Sequence, residues 1–531
     1  MNLKYISTLF LLFFTLSFMT GCSSGEPEYM MISEQELKDK IAGGWAGKMI
    51  GVMYGEESEF KARSEIYEKD LPWNPEMIKG ALGQDDLYVQ MSFMMTMDEH
   101  GMDAPAEKFA ESFANAGYRL WHANRKARKN YWDGIMPPES GSPRYSMHAD
   151  DIDFQIEADY IGFMCPGMPQ TSNKICDKIG HIMNYGDGVY GGMFVCALYT
   201  TAYFENDIRK IVESALKAIP KESQYAQCVQ DVLDGYDRNP DNWRKTWQEL
   251  EDKWGAVDIC GAMDPFNIDA KINGAYIVMG LLYGEGDFHR TMEVSTRCGQ
   301  DSDCNPSNAA GVLGILGGYS KIDNKWKSSI PDIADSVFIY TNYTFNKVLD
   351  NTLDYAKKLI VENGGKIDGD QLYIKVQQPV APPLEQSFPD IKVSYRTSNE
   401  DDNWEWKGKW ETYTYPYSGG REFNGKASLK KGSECTIKFE GTGFLLMGHW
   451  DQDGGKADIY LDGKKVQTID TYYWVGNRGA GAGWLNGAHL YHVLDLEPGE
   501  HSIKVVATGD KNEKATGSKI YLERAIVYQP K

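Results

Sequence analysis

A chain of 531 residues is longer than one hydrophobic core serves, so two or more domains are expected. Apolar residues at 42% and charged residues at 25% place it among ordinary soluble globular proteins. The 76 acidic residues against 55 basic ones leave a formal net charge of −21, which repels phosphate backbones and excludes nucleic acid as the expected partner.

The first residues read as a leader. Lys4 gives a positive start, and Ile6 to Phe18 form an apolar run short for a membrane span. Met19-Thr20-Gly21-Cys22 then sets small residues before a cysteine, as at a bacterial lipoprotein cleavage site. Residues 1–22 are expected to be a signal peptide, with Cys22 lipidated. Residues 23–34, opening Ser23-Ser24-Gly25, are expected to be a tether. The alternatives are an ordinary signal peptide cleaved nearby or a single anchor helix. The lipoprotein reading predicts an exported chain anchored to the cell envelope, at the outer membrane, on its periplasmic or surface face. The other eight cysteines are scattered without a C-x-x-C pair, which argues against zinc-finger or redox motifs. Their even number permits disulfides but names no pair, and residues such as Cys196, set in Phe194-Val195-Cys196-Ala197-Leu198, read as buried thiols.

Residues 35–375 are expected to form one all-α domain. Ser33 and Glu36 have capping-box spacing ahead of Leu37 and Ile41. Long apolar stretches follow over Leu87–Met97, Ala106–Leu120, Gly192–Phe204, Ile208–Ala218, Ile272–Tyr283, Ala309–Leu316 and Phe345–Val361. Three acidic clusters punctuate them. Gly83-Gln84-Asp85-Asp86 precedes one helical run, and Gly299-Gln300-Asp301-Ser302-Asp303-Cys304 precedes another, for which Asn305 is the expected N-cap and Pro306 the first helical residue. Asp301 and Asp303, alternating along an extended segment, point to one side. Carboxylates converging from both loops would repel unless a cation lay between them, and hard oxygen ligands favour Mg²⁺ or Ca²⁺. The plainer alternative is that each pair caps its own helix. In the third cluster, His148 to Asp159, a helix would put Asp150, Asp153 and Glu157 on one face among apolar neighbours, where a carboxyl group could act as acid or base.

Gln377 to Pro383 is Pro-rich and marks a semi-rigid linker over 376–386. Beyond it, period-two segments at Cys435–Phe439, Phe444–Met447, Ala457–Leu461, Ser502–Ala507 and Ile520–Val527 predict a β-sandwich over 387–531, with a hairpin turn at Asp462-Gly463. Trp450, Tyr472, Tyr473, Trp474 and Trp484 are candidates for stacking on sugar rings, or else core aromatics.

The early Gln84-Asp85-Asp86-Leu87, the late Gly299-Gln300-Asp301-Ser302-Asp303-Cys304, the opening Gly44-Trp45-Ala46-Gly47-Lys48-Met49-Ile50-Gly51 and the middle Gly186-Asp187-Gly188-Val189-Tyr190-Gly191-Gly192-Met193 together resemble the ADP-ribosylglycohydrolase family, over roughly residues 35–360. The C-terminal part, especially around Gly441-Thr442-Gly443-Phe444 and Val505-Val506-Ala507-Thr508-Gly509, resembles carbohydrate-associated β-sandwich modules. The family resemblance implies an all-α glycohydrolase with two metal ions, usually Mg²⁺, held here by Asp85, Asp86, Asp301 and Asp303 with Gln84 as a fifth ligand. Asp151, Asp153 or Glu157 would supply the acid or base, with Asp150, Asp187 and Tyr190 as substrate-binding residues. The chain departs from the family pattern at Gln84 and Cys304, where threonine is usual, and at Lys48, where aspartate is common. A nearby glutamate of the family aligns only loosely with Glu56 or Glu57. The expected activity is metal-dependent hydrolysis of a glycosidic bond in an extracellular glycan or glycoside. The alternatives are an ADP-ribosyl or nucleoside-like glycoside as substrate, and an inactive surface glycan-binding lipoprotein.

Overall fold

The computed structural model describes residues 28–255, 258–261, 266–417, 421–475 and 487–531. Residues 1–27, with the expected leader and Cys22, and Trp484 lie outside the described residues. A helical domain comes first and a β-sheet domain follows it.

The helical domain is built on two helices that touch backbone to backbone. Ser33 caps the first, Glu34–Gly55, its hydroxyl accepting the Glu36 N–H at 3.1 Å. Across it lies Cys304–Gly317. A methyl group placed on Gly47 would sit 2.3 Å from the Ala310 carbonyl oxygen, and one on Gly51 would sit 2.3 Å from that of Pro306. Only glycine allows this approach, and it fixes where the loop before Cys304 emerges. The helical domain also carries a small antiparallel sheet in which Tyr29–Ser33 pairs with Gln371–Lys375, and that strand with Lys366–Asp368. Residues 29–33, expected in the tether, thus belong to the folded unit, and Ile32, Leu372 and Ile374 join its core.

The acidic segment expected as one helix is broken. Asp150 and Asp151 precede the short helices Asp153–Glu157 and Asp159–Phe163. Here the chain runs beside residues 268–270: Ile152 N–H donates to Ile268 O at 3.0 Å and Ala270 N–H to Asp150 O at 2.9 Å. In a buried stretch this pairing satisfies backbone groups that an isolated helix end would leave open.

The β domain packs two antiparallel sheets. One runs Lys464–Asp470, Gly455–Leu461, Gly499–Lys511, Glu434–Gly441, Trp404–Lys407, and the hairpin turn is at Asp462-Gly463. The other runs Ala488–Val493, Gly443–Gly448, Ile520–Pro530, Arg421–Ser428, Glu411–Tyr417, with Ile391–Ser398 also pairing along Ile520–Pro530. Glu434–Gly441 alternates as expected, burying Cys435, Ile437 and Phe439. Gly443–Gly448 is buried throughout. Phe444 and Leu446 enter the sandwich, while Leu445 and Met447 pack with Ala149, Ile152 and Cys260 of the helical domain. A strand covered on both faces loses its alternation, and here the second cover is the other domain.

The linker is held against the helical domain: Gln170 Nε2 donates to Gln378 O at 2.8 Å and Asn173 Nδ2 to Val380 O at 3.3 Å. Trp450 and Tyr473 are buried and stack on each other with ring centroids 5.5 Å apart. Trp132 packs on Tyr473 at 5.0 Å, and the Arg125 guanidinium lies over Trp450. These two rings hold the domains together and do not form an open sugar platform; Tyr472 and Trp474 are half-buried. The eight cysteines from Cys165 to Cys435 are buried free thiols. Among the described residues no helix is long and apolar enough to cross a membrane.

Candidate active site

The backbone contact of the two glycine-lined helices brings the loop 299–303 against the end of the first helix. Ser58 Oγ lies 2.8 Å from Ser302 Oγ, and Phe60 N–H donates to Gln300 O at 3.0 Å. Gln300 has φ 54, an uncommon backbone state for a non-glycine residue. Its side chain accepts the Asn267 N–H at 3.0 Å, and Asn273 Oδ1 accepts both the Asp301 N–H at 3.3 Å and the Asn305 amide at 3.0 Å. The loop is therefore held from several sides. Asp303 occupies the N-cap position, two residues earlier than expected, and Asn305 and Pro306 lie inside the first turn.

Asp85 and Asp86 open the helix Asp85–His100 and meet this loop. Ligand atoms of Asp301, Asp303 and Cys304 all lie within 4.8 Å of one another. Burial, then Asp86 and Asp303, push the Asp85 carboxyl up to about 7. Burial, then Asp86, raise Asp303; burial, then Asp303, raise Asp301 well above the carboxylate range. Glu59 is raised chiefly by Asp303. Asp303 Oδ1 is buried without a hydrogen-bond partner among the described residues. A crowd of repelling oxygens with one buried and unpartnered fits a hard divalent cation. Asp85, Asp301 and Asp303 could hold it, with Glu59 at the rim.

Two expected ligands have protein partners of their own, Gln84 through its amide nitrogen and Asp86 through both carboxylate oxygens. Gln84 Nε2 donates to Glu56 Oε1 at 3.0 Å. Asp86 accepts from Cys304 Sγ through Oδ1 at 3.0 Å and from Lys48 Nζ through Oδ2 at 3.1 Å. Burial and the surrounding carboxylates push the Cys304 thiol well up, so it keeps its proton and donates where a hydroxyl would. Lys48, fully buried, also meets Asp159 at 2.8 Å and donates to Ile156 O at 3.0 Å. Burial alone would lower its pKa, but Asp159 and Asp86 outweigh that and keep it charged. A cation of the protein itself thus lies beside the acidic loops.

The acid–base candidates separate by their partners. Asp153 accepts the backbone N–H groups of Ala123 and Asn124, at 3.2 and 3.1 Å, and so caps the helix His122–Trp132. Asp151 lies 2.6 Å from His148 Nδ1 and accepts from Cys260 Sγ at 3.2 Å. Glu157 accepts from the Asn124 amide through Oε1, while its buried Oε2 has no partner among the described residues. Burial, then Asp153, raise it well above the carboxylate range, with Asp85 and Asp86 also contributing. Of the three, Glu157 has an uncommitted oxygen and electrostatic contact with the acidic loops.

The expected substrate-binding residues lie elsewhere. Asp150 and Asp187 interact with Lys271, which also pairs with Asp269, in a buried charge cluster. Tyr190 Oη donates to Pro383 O at 3.2 Å and accepts the Glu385 N–H at 2.5 Å, so it fastens the linker. Glu59 is the residue the motifs missed. The acid-rich Glu56-Glu57-Ser58-Glu59 run is the available signal, in which only the loose alignment of Glu56 or Glu57 is suggested by the family pattern.

The crowding has a sign that experiment can read. An unfolded aspartate titrates near 4, whereas Asp85 titrates at about 7 in the fold. Between those values the folded chain holds more protons, so stability present below pH ~4 is lost as pH rises to ~7. Chelator-treated protein should melt lower at about pH 8 than at about pH 5, and saturating Mg²⁺ should raise the melting temperature more at the higher pH. Equal Mg²⁺ shifts at both values would contradict the cluster.

The model of the family described as ADP-ribosylglycohydrolase matches residues 33–357. Among solved structures, an ADP-ribosylglycohydrolase-related protein complex is similar at 12% identity and TM-score 0.41, over 61% of this chain and 98% of that one. The CBM36-1 domain of a multidomain xylanase from the hindgut metagenome of Trinervitermes trinervoides is similar at 16% identity and TM-score 0.17, over 25% of this chain and 94% of that one. A two-domain esterase active on acetylated mannans is similar at 19% identity and TM-score 0.21, over 35% of this chain and 45% of that one. No curated protein matches.

Proposed function

Since the chain belongs to the ADP-ribosylglycohydrolase family and is a glycosyl-bond hydrolase, we propose that it uses one Mg²⁺ ion and acts outside the cytoplasm on a glycan or glycoside. The observation that carries the metal reading is the meeting of the two acidic loops around the unpartnered Asp303 Oδ1. Asp85, Asp301, Asp303 and Glu59 would hold the ion. Lys48 supports one ion where the family resemblance implies two: its ammonium already lies between Asp86 and Asp159 and brings one positive charge to the pair. Ca²⁺ is the alternative ion. The leader ending at Cys22 supports export and lipid anchoring, and export favours a glycan or glycoside over an intracellular ADP-ribosyl conjugate.

Hydrolysis at an anomeric carbon develops positive charge on the sugar ring. Carboxylates near the anomeric carbon would stabilise that state. Burial, then Asp153 and the other neighbouring carboxylates, hold Glu157 well above the carboxylate range, the direction a general acid needs. Asn124 fixes one of its oxygens, and the free one is the donor to the leaving-group oxygen. Asp153 positions the helix that carries Asn124. Bound Mg²⁺ would supply sugar-hydroxyl orientation and a lowered water pKa.

The test is turnover of pentofuranosides, oligosaccharides and ADP-ribosyl conjugates with Mg²⁺, with Ca²⁺ and with chelator. Hydrolysis that requires the cation, and is lost together with bound metal in Asp301→Ala/Asp303→Ala, is the expected result. Undiminished turnover of that variant in chelator would remove the metal from the reading. Glycan binding without turnover under any condition would favour the surface binding protein.

A further inference from the structure

A second cluster of metal-ligating side chains lies where the two domains meet. His122 starts the helix His122–Trp132 with φ 42, a left-handed backbone state uncommon outside glycine. His148 and Asp151 come from the turn before Asp153–Glu157. Asp151 Oδ2 is 2.6 Å from His148 Nδ1 and 3.8 Å from His122 Nδ1, and ligand atoms of all three lie within 4.8 Å of one another. None of these residues belongs to the carboxylate loops.

The β domain closes the cluster. His489, on the strand Ala488–Val493, stacks on His148 with centroids 3.8 Å apart and planes within 4°. It is 2% exposed, and neither of its ring nitrogens has a hydrogen-bond partner among the described residues. Leaving both polar atoms of a buried imidazole unmade is costly unless a ligand completes them. Phe266 stacks on His122 at 5.5 Å, and Cys260 Sγ donates to the far oxygen of Asp151.

We propose that His122, His148 and Asp151 form a second metal site, for a first-row divalent transition ion such as Zn²⁺, with His489 completing its wall from the other domain. Two imidazoles and a carboxylate are the donor set such ions take, whereas Mg²⁺ prefers the all-oxygen cluster. Three protein ligands leave a coordination position open to water or a substrate oxygen. The surroundings are mixed in sign. Arg125 and Lys126 face the histidines from the His122–Trp132 helix, while Asp153, Asp258 and Asp269 face Asp151. Burial, then Arg125, hold His122 down to about 3, and burial, then His489, hold His148 well below its usual value. Neutral imidazole is the form that ligates. The proposal does not rest on the hydrolase reading.

Co²⁺ is the probe. Full-length protein stripped with chelator and titrated with Co²⁺ in excess Mg²⁺ should show a visible ligand-field band saturating at one equivalent. The band should persist in Asp301→Ala/Asp303→Ala and disappear in His122→Ala/His148→Ala. His122 is the least buried of the three, so His122→Asn tests the site with the fold intact, monitored by circular dichroism. Its Co²⁺ affinity should fall by at least about tenfold. Absence of the band from the parent protein, or an unchanged titration in folded His122→Asn, would overturn the site.

Discussion

Glu157→Gln should lower kcat by about 10²–10⁴-fold, the usual contribution of a positioned general acid, while bound Mg²⁺ stays at the parent level. The amide fills the same volume and still accepts from Asn124, so the fold has little reason to change. What disappears is the proton on the free oxygen. The pH profile separates this from a merely structural effect. A general acid works from its protonated form, and burial with neighbouring carboxylates holds Glu157 well above its usual value. Activity should therefore decline as pH rises through that raised value, and the alkaline limb should be missing in the variant. A substrate whose leaving group needs no proton, such as a nitrophenyl glycoside, should recover most of the lost rate. A variant as active as the parent, or an unaltered alkaline limb, would move the acid elsewhere.

Lys48→Met should be the most destabilising single change near the site, by about 3–5 kcal/mol, the range for removing one partner of a buried ion pair. Methionine matches the stem of lysine in volume, so little packing is lost. The loss comes from Asp86 and Asp159, left as buried carboxylates without their shared cation. Asp159 would retain the Tyr199 hydroxyl at 2.5 Å and the Asn308 amide at 2.8 Å. Among the described residues, Asp86 would retain only the weak thiol donor Cys304 on its side chain. Adding Asp86→Asn and Asp159→Asn to Lys48→Met should restore a large part of the stability, because neutral amides need no counter-charge. If urea unfolding gave Lys48→Met a free energy within about 1 kcal/mol of the parent, the ammonium would not be the counter-ion described.

The parts of this molecule that were legible in its sequence are those in which structure and chemistry share one short stretch. Seven stretches between Leu87 and Val361 stand out as long apolar runs and the β domain as alternation between turns, whereas polar helices such as His122–Trp132 and Trp243–Trp254 do not stand out. The paired aspartates at 85–86 and 301–303 could be recognised because each sits in a loop running directly into a helix. What stayed hidden depends on partners far along the chain. Asp153 looks like an acid and serves as a cap because its partners are the N–H groups of residues 123 and 124. Lys48 lies in a glycine-rich helix, and nothing local shows that it meets Asp86 and Asp159. Glu59 joins the cluster only after the loop beyond Gly55 packs on Ser302. Residues 29–33 were too few to show alternation. Trp450 and Tyr473 had the composition of a sugar platform, but the docking of the domains buried them.

Crystals soaked in Mn²⁺ and measured at its absorption edge test the central claim most directly. The account predicts one anomalous peak inside the carboxylate cluster, bounded by Asp85, Asp301 and Asp303, with the Lys48 ammonium still between Asp86 and Asp159. No peak there at saturating Mn²⁺, with each aspartate hydrogen-bonded only at its own helix end, would contradict it.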